Sequence, residues 1–245
     1  MDILQRLLIS KTEPRSLPDR IYEELLRDIL TGQLPRDSRL NEPEICARYQ
    51  ASRTPVREAF RRLEMDGLCE YIPNRGEFVR GLTQPEIDDM LFMRADLEDR
   101  CVRWGIARIT EEEEEELTEI FNHMEFYTKK GDVQKMVDIN TAFHLMLYKT
   151  SHDRLLEKTL TAYQSYANYC APPNYFARNF LKRVLEEHRR IYSAYMNKDV
   201  ITAVRAMRLH MNNTLKRSNR PLKGLADDAG ELVAEVDPEK NLSLE

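Results

Sequence analysis

The sequence predicts a mainly α-helical fold in which a winged helix-turn-helix domain precedes an antiparallel bundle of six helices. Two observations predict it. Residues 17–82 contain three short helical patterns followed by two extended runs around a turn, and from residue 83 onward the pattern is purely helical. The chain has 245 residues, which is enough for two units that each bury a core. We therefore divide the chain into an N-terminal extension (1–16), a winged domain (17–82), a helical bundle (83–220) and a flexible acidic tail (221–245).

The winged domain is expected to open with two helices. The first runs from about Leu17 to Thr31, with Ser16 as its N-cap. The second is short and follows Asn41, with Glu44 three residues on in an arrangement that resembles a capping box. A tight turn then leads to the third helix, so the pair has helix-turn-helix spacing.

The third helix is expected to start at Thr54, next to a proline that suits the first helical position, and to stop before Gly67. Two extended runs follow, Cys69–Ile72 and Glu77–Arg80. They flank the sequence Pro-Asn-Arg-Gly at 73–76, which is typical of a β-hairpin turn. The hairpin supplies the predicted wing.

The second domain is expected to contain six helices joined by short connections, as in an antiparallel bundle. A capping box formed by Thr83 and Glu86 opens the first of them. Polar residues that favour helix N-termini, or breaks in the pattern, place the later starts at Thr110, Asp132, Ser151, Asn174 and near Asp199.

The composition excludes membrane and disulfide-stabilised secreted proteins. No apolar run approaches the ~20 residues that a membrane-spanning helix needs, and the first ten residues do not resemble a secretory signal. The four cysteines are scattered without a CxxC spacing, which is typical of reduced thiols. We therefore expect a soluble, cytoplasmic protein with no membrane contact.

The charge distribution favours a local rather than a general nucleic-acid-binding surface. The net charge of −5 argues against broad electrostatic binding to DNA. Arginines nevertheless crowd residues 48–62, and one basic face on an acidic chain is compatible with site-specific binding.

In a winged helix-turn-helix, the second helix of the pair enters the major groove with its N-terminal residues against base edges. Arginine can read guanine through two hydrogen bonds, whereas hydroxyl groups and helix N-termini suit phosphates. We expect Arg53 and Arg57 to read bases. The predicted DNA-binding residues are Ser52, Arg53, Thr54, Pro55 and Arg57 on the recognition helix and Arg75 and Gly76 on the wing. The alternative for any single arginine is a surface ion pair.

This segment resembles the DNA-binding domain of the GntR family of bacterial regulators. The resemblance rests on Ser-Arg-Thr-Pro-Val-Arg-Glu-Ala at 52–59, Asp-Gly-Leu at 66–68 and Arg-Gly at 75–76, and it covers about residues 17–82. It implies a transcriptional regulator that binds double-stranded operator DNA as a homodimer. The half-sites of a palindromic operator would then lie about one helical turn, ~34 Å, apart.

Three histidines of the second domain lie on apolar helix stripes. His144, His188 and His210 each share a face with apolar residues at helical spacing, and Asn140 lies one turn before His144. Histidines on inward stripes of neighbouring helices can build a metal site in the middle of a bundle. The alternative is that each is an isolated core histidine bonded to a neighbour.

The segments around these histidines, NTAFH, EEHRRI and AMRLH, resemble the FCD domain, the FadR-type C-terminal domain of GntR regulators. The six-helix count is closer to its VanR branch than to its seven-helix FadR branch. The resemblance implies a divalent metal held by Asn140, His144, His188 and His210, and neutral imidazoles favour zinc or nickel, with manganese possible. Many relatives have Asp in place of this Asn, so the alternatives for this chain are a weakly bound metal or none.

Arg94 matches an arginine of the FCD domain that faces the effector pocket, where a guanidinium would clamp a carboxylate. The alternative is an ion pair within the helix with Glu98, four residues on. His152 lies in a predicted turn and is expected to face solvent rather than bind metal.

The sequence thus predicts a repressor that a small organic acid releases from its operator. Two other hypotheses remain. In one, the metal ion itself is the signal. In the other, three histidines and an open position form a hydrolytic zinc site fused to a DNA-binding domain, although the chain has no HExxH motif and no glycine-rich phosphate loop.

Overall fold

The structure is a computed structural model that describes residues 16–171 and 180–218. The predicted N-terminal extension, apart from its last residue, and the predicted tail lie outside these ranges, as does the predicted helix start at Asn174. The elements of the winged domain are α1 (Leu17–Leu30), β1 (Arg39–Leu40), α2 (Glu42–Tyr49), α3 (Arg53–Met65), β2 (Cys69–Ile72) and β3 (Gly76–Val79). The predicted winged helix-turn-helix is present.

Two details of the helix starts differ from the sequence prediction. Asn41 is the N-cap of α2, but its side chain accepts no hydrogen bond from the backbone; its Nδ2 donates to Glu44 Oε1 at 2.6 Å, so the capping box does not form. Helix α3 begins at Arg53 after the N-cap Ser52, which makes Pro55 its third residue rather than its first. Proline fits there because the first-turn N–H groups of a helix have no partner within the helix.

The wing is a three-stranded antiparallel sheet with the order β1-β3-β2. Strand β1 was not predicted because it has only two residues, which pair with Phe78 and Glu77 of β3. Strand β3 begins at Gly76, one residue earlier than predicted. The sheet and the three helices enclose an apolar core centred on Ile21, Leu25, Leu63 and Leu68, which are fully buried.

Six helices follow, as predicted, within the described residues. They are α4 (Gln84–Arg108), α5 (Glu111–Lys130), α6 (Val133–Thr150), α7 (Arg154–Cys170), α8 (Leu181–Met196) and α9 (Val200–Ser218). Capping boxes open α4 at Thr83 and α5 at Thr110. The N-cap of α7 is Asp153, whose side chain accepts from the backbone of Leu156, and not Ser151 as predicted.

Helices α4 and α8 approach each other closely at Gly105. A Cβ atom at this position would lie 1.9 Å from the hydroxyl oxygen of Tyr195, which is fully buried. That hydroxyl is hydrogen-bonded to Thr150 Oγ1 at 2.5 Å. The glycine therefore allows three helices to meet at one point in the bundle.

The C-terminal part of α7 connects the two domains. Tyr166 and Tyr169 pack against the core of the winged domain. Nearby, the hydroxyl of Tyr22 on α1 donates to Asp66 Oδ2 at 2.5 Å. One helix of the bundle thus touches the domain that carries the helix-turn-helix.

Among the described residues, none of the helices combines the length and the apolar character that crossing a membrane requires.

Candidate functional site

Three histidines from three helices converge in the middle of the bundle. His144 on α6, His188 on α8 and His210 on α9 are buried, and one ring nitrogen from each lies within 4.8 Å of the others. The Nε2 atoms of His144 and His210 are 3.2 Å apart. The three histidines are therefore brought together, as the resemblance to the FCD domain implied and as their apolar stripes alone left open.

The Nδ1 atoms of two of the rings donate hydrogen bonds to acceptors outside the cluster. His188 Nδ1 donates to the backbone carbonyl of Val184 at 2.7 Å, and His210 Nδ1 donates to Glu187 Oε2 at 2.8 Å. His144 Nδ1 lies 3.3 Å from Glu98 Oε1 but forms no hydrogen bond among the described residues. The hydrogen bonds of His188 and His210 favour the tautomer that carries its proton on Nδ1, so the Nε2 lone pairs of these two rings face the cluster.

Burial keeps the imidazoles neutral. Desolvation lowers the pKa of His188 to about 3 and the pKa values of His144 and His210 to about 4. Although burial alone would raise it, the pKa of Glu98 is about 2, and at neutral pH, where His144 is uncharged, the guanidinium of Arg94 keeps this carboxylate ionised. At neutral pH the cluster thus consists of uncharged rings beside an ionised carboxylate.

The donor set fits a divalent transition metal. Two nitrogens bound to one tetrahedral zinc ion at ~2.0–2.1 Å would lie about 3.3 Å apart, close to the 3.2 Å between the Nε2 atoms of His144 and His210. His188 Nε2 is buried and has no hydrogen-bond partner in the described part of the chain. Buried polar atoms normally find a partner, and a metal ion would provide one for all three lone pairs.

Asn140 lies one turn before His144 on α6 and is buried. It lines a cavity of about 220 Å³, together with His144 and His210. Apolar side chains of α4, α6 and α8 and the amides of Gln164 and Asn168 complete much of the wall. The histidine cluster thus lies at the wall of a space that can hold a small molecule.

Arg94 of α4 lines the same cavity and is buried. It also makes the intrahelical contact that was its alternative role, with Nη2 2.9 Å from Glu98 Oε1. Nη2 further donates to the hydroxyl of Tyr148 and to Gln164 Oε1. Arg94 thus lines the cavity and also forms the ion pair within its helix.

Two arginines of α3 share one carboxylate. Arg53 and Arg57 are largely exposed, and their Nε atoms lie 3.5 Å and 2.9 Å from the oxygens of Glu42 at the start of α2. Ser52 and Thr54 are exposed beside them. Glu42 was not singled out from the sequence because it is 15 residues from Arg57 along the chain.

At the wing, Arg75 is exposed and its guanidinium lies 5.2 Å from the centroid of the Phe78 ring. Gly76 has a φ of +98°, which side chains rarely adopt, and a Cβ there would lie 3.3 Å from the guanidinium of Arg39. The fold thus places a further arginine, missed by sequence analysis, next to the wing tip.

A winged helix-turn-helix joined to a helical bundle that contains a cavity is typical of a DNA-binding transcriptional regulator. Comparison with known families supports this class. Residues 17–79 match the family model described as bacterial regulatory proteins, gntR family, and residues 89–213 match the FCD domain. The chain belongs to the GntR family of regulators and carries an FCD domain. It is a regulator by family and not an enzyme.

Relatives and solved structures agree with this assignment. An uncharacterised HTH-type regulator of Bacillus subtilis, YdhC, is 30% identical over 79% of this chain and 87% of its own length. The repressor RspR of Escherichia coli is 26% identical over 83% and 88%. The structure of Escherichia coli McbR/YncC superposes with a TM-score of 0.68 at 21% identity, covering 83% of this chain and 97% of that one, and supports the fold.

Proposed function

We propose that this protein is a homodimeric repressor that binds a palindromic operator and leaves it when a small carboxylate enters the cavity. A divalent metal, zinc or nickel with manganese as a further candidate, would be held by Asn140, His144, His188 and His210. The observation that carries this proposal is the convergence of three neutral, buried imidazoles at the wall of a cavity that also contains Arg94. When bound, the metal supplies a positive charge and open positions for an anionic ligand.

Charge balance favours a carboxylate as the ligand. Three neutral histidines and an asparagine would leave the charge of a divalent ion uncompensated. The neighbouring carboxylates are already engaged, because Glu98 contacts Arg94 and Glu187 contacts His210 and Arg217. An uncompensated charge in a buried site is costly, so an anion in the cavity would be bound tightly.

The cavity limits the size of the ligand. Its volume of about 220 Å³ is below the 300–1,000 Å³ that is usual for drug-sized ligands. It corresponds to about seven water molecules at ~30 Å³ each. An acid of a few carbon atoms fits this space, and the apolar side chains of the wall would contact its carbon chain.

Recognition of DNA is assigned to α3 and the wing. Arg53 and Arg57 would exchange their contacts with Glu42 for contacts with bases, and Ser52, Thr54 and Pro55 lie beside them at the helix N-terminus, where phosphates are favoured. The main chain at Gly76 and the side chain of Arg75 would approach the minor groove or the backbone. Two copies would place two recognition helices on the half-sites.

Helix α7 is the connection between ligand and DNA. Gln164 contacts Arg94 in the cavity, and Tyr166, two residues on, packs against the winged domain. A ligand that draws Arg94 away from Gln164 would shift α7 and with it the winged domain. Repression is the proposed direction because RspR, which aligns over most of this chain, is named a repressor.

The test is footprinting of the purified, metal-loaded protein on the DNA upstream of its own gene. We expect protection of a palindrome and its loss when short carboxylates are added. If the carboxylates leave the affinity for DNA unchanged and the metal alone changes it, the protein is a metal-sensing regulator instead. Absence of any protected palindrome would contradict the operator part.

A further inference from the structure

Glu98 of α4 is a fully buried carboxylate that contacts both halves of the candidate site. Its Oε1 atom accepts from Arg94 Nη2 at 2.9 Å and from Arg94 Nε at 3.1 Å. The hydroxyl of Tyr148 donates to the same oxygen at 2.5 Å. This oxygen also lies 3.3 Å from His144 Nδ1, with no hydrogen bond to it. Glu98 is therefore placed between the arginine proposed to bind the carboxylate and a proposed metal ligand.

The protonation of the rings explains why His144 makes no hydrogen bond to Glu98. His210 Nδ1 donates to Glu187, a carboxylate paired with an arginine, so Nε2 of the neutral His210 ring carries no proton. His144 Nε2 lies 3.2 Å from His210 Nε2 and must be the donor in that contact. The neutral His144 ring therefore carries its proton on Nε2, and its Nδ1 presents only a lone pair to Glu98.

Metal binding by His144 requires the opposite tautomer. Its Nε2 would have to offer a lone pair, so the proton of the neutral ring would have to lie on Nδ1. Histidines that bind metals usually donate from their second nitrogen to a carboxylate or carbonyl, and Glu98 is the carboxylate next to this one. Glu98 can accept a further hydrogen bond, because its Oε2 atom is buried and has no partner in the described part of the chain.

We propose that Glu98 is a positioning residue that couples metal binding to carboxylate binding in this cavity. Without metal, Glu98 compensates the charge of Arg94 and so competes with a carboxylate ligand for the guanidinium. With metal bound, Glu98 accepts the Nδ1 proton of His144, and Arg94 becomes available to the ligand. The inference rests on the proposed function and names the residue through which its two ligands affect each other.

Removing the charge of Glu98 should therefore move the two affinities in opposite directions. Glu98→Gln keeps the size of the side chain but takes the charged acceptor away from His144, which should lower the affinity for metal about 10–100-fold. A carboxylate ligand loses its competitor for Arg94. Because hydrogen bonds to charged groups are the stronger ones, the affinity of the metal-free protein for a carboxylate should rise about fivefold. A purely structural role of Glu98 would weaken both.

The test is calorimetry on the full-length protein after treatment with a chelator. Zinc is titrated without added acid, and acetate, propionate and succinate are each titrated into the metal-free protein. The matched control is Asp99→Asn, which exchanges a carboxylate for an amide at the next position of α4. Asp99 pairs with Arg103 and Arg208 instead, so this variant should keep both wild-type affinities.

A second measurement uses the wild type and does not depend on the folding of a variant. Nitrogen NMR of protein labelled at histidine distinguishes the two tautomers, and the His144 signals are those missing from His144→Gln. We expect His144 to carry its proton on Nε2 in the metal-free protein and on Nδ1 after zinc is added. His210 should carry its proton on Nδ1 in both states.

The coupling would be overturned if Glu98→Gln lowered both affinities or left both unchanged. It would also be overturned if His144 already carried its proton on Nδ1 in the metal-free wild type. In either case a wild type that binds zinc and a carboxylate would leave the proposed function standing. A wild type that binds neither zinc nor any of the three acids would contradict the proposed function, and the coupling with it.

Discussion

Replacing His188 by glutamine is expected to remove most of the thermal stabilisation that a divalent metal gives this protein. A ligand at 100 times its dissociation constant stabilises the folded state by about 2.7 kcal/mol. For a chain of 245 residues, each kcal/mol corresponds to about 2–4 °C in melting temperature. The metal-free wild type should therefore gain roughly 5–10 °C on adding zinc or nickel.

The variant loses the ring whose Nε2 has no partner among the described residues. Removing a group that only hydrogen-bonds to a metal ligand typically lowers the affinity for the metal 10–100-fold. Loss of a ligand itself should therefore lower the metal affinity about 100-fold. At the same metal concentration the stabilisation would then fall to about 0.4 kcal/mol, a shift of only 1–2 °C. The measurement is a thermal melt of chelator-treated protein with and without each metal.

His152→Gln is the matched control, because His152 faces solvent and contacts Glu113 away from the cluster. It should keep the full shift. Asn140→Asp should enlarge the shift, since a carboxylate offsets the charge of the ion. The reasoning would be refuted if zinc, nickel and manganese all left the wild type unshifted, or if the His188 variant gained as much as the wild type.

Three further changes test the fold and the coupling. Gly105→Ala should lower the melting temperature, because a Cβ 1.9 Å from the Tyr195 hydroxyl forces the helices apart; overpacking costs about 1–3 kcal/mol, more than the ~0.5–1 kcal/mol that alanine gains over glycine in a helix. Tyr166→Ala should leave carboxylate affinity intact in calorimetry while reducing its effect on DNA affinity, a coupling that is typically 5–150-fold. Glu42→Gln should tighten binding to the operator several-fold in a titration, because it frees the recognition arginines and removes a negative charge near the phosphates.

Each of these has an opposite outcome that would count against it. A Gly105→Ala protein that melts at or above the wild-type temperature would mean that α4 and α8 are not in close contact there. If the carboxylate still releases the Tyr166→Ala protein from DNA as fully as it releases the wild type, α7 does not couple the two sites. Weaker operator binding by Glu42→Gln would mean that Glu42 positions the arginines for DNA rather than competing with it. Glu112→Ala, an exposed site on α5, is the common control.

Much of the fold was predictable because its boundaries are chemically marked. Thr83, Thr110 and Asp132 are N-caps in the structure as predicted, since their side chains accept from backbone N–H groups three residues on. The start of α7 was misplaced because Ser151 and Asp153 are both suitable caps, and only the packing of the helix decides between them. Strand β1 escaped prediction because two residues contain no periodic pattern.

The inward direction of the histidines also followed from helical periodicity, which is a local property. The groups that lie next to their Nδ1 atoms could not be predicted in this way. Glu98 lies on another helix than His144, and Glu187, although next to His188 in the sequence, contacts His210 instead. Such pairings depend on how helices pack across the bundle, and one sequence holds no direct record of them.

Operator affinity of the Arg53→Ala, Arg57→Ala double variant tests the central claim most directly. The duplex is the one that the wild type selects from a random pool, and the control is Arg205→Ala, an exposed arginine of α9. We expect each lost base contact to cost about 10–100-fold, with selectivity falling as well and the control unchanged. Binding by the double variant that is as tight and as selective as that of the wild type would contradict the assignment of α3 as the helix that reads DNA.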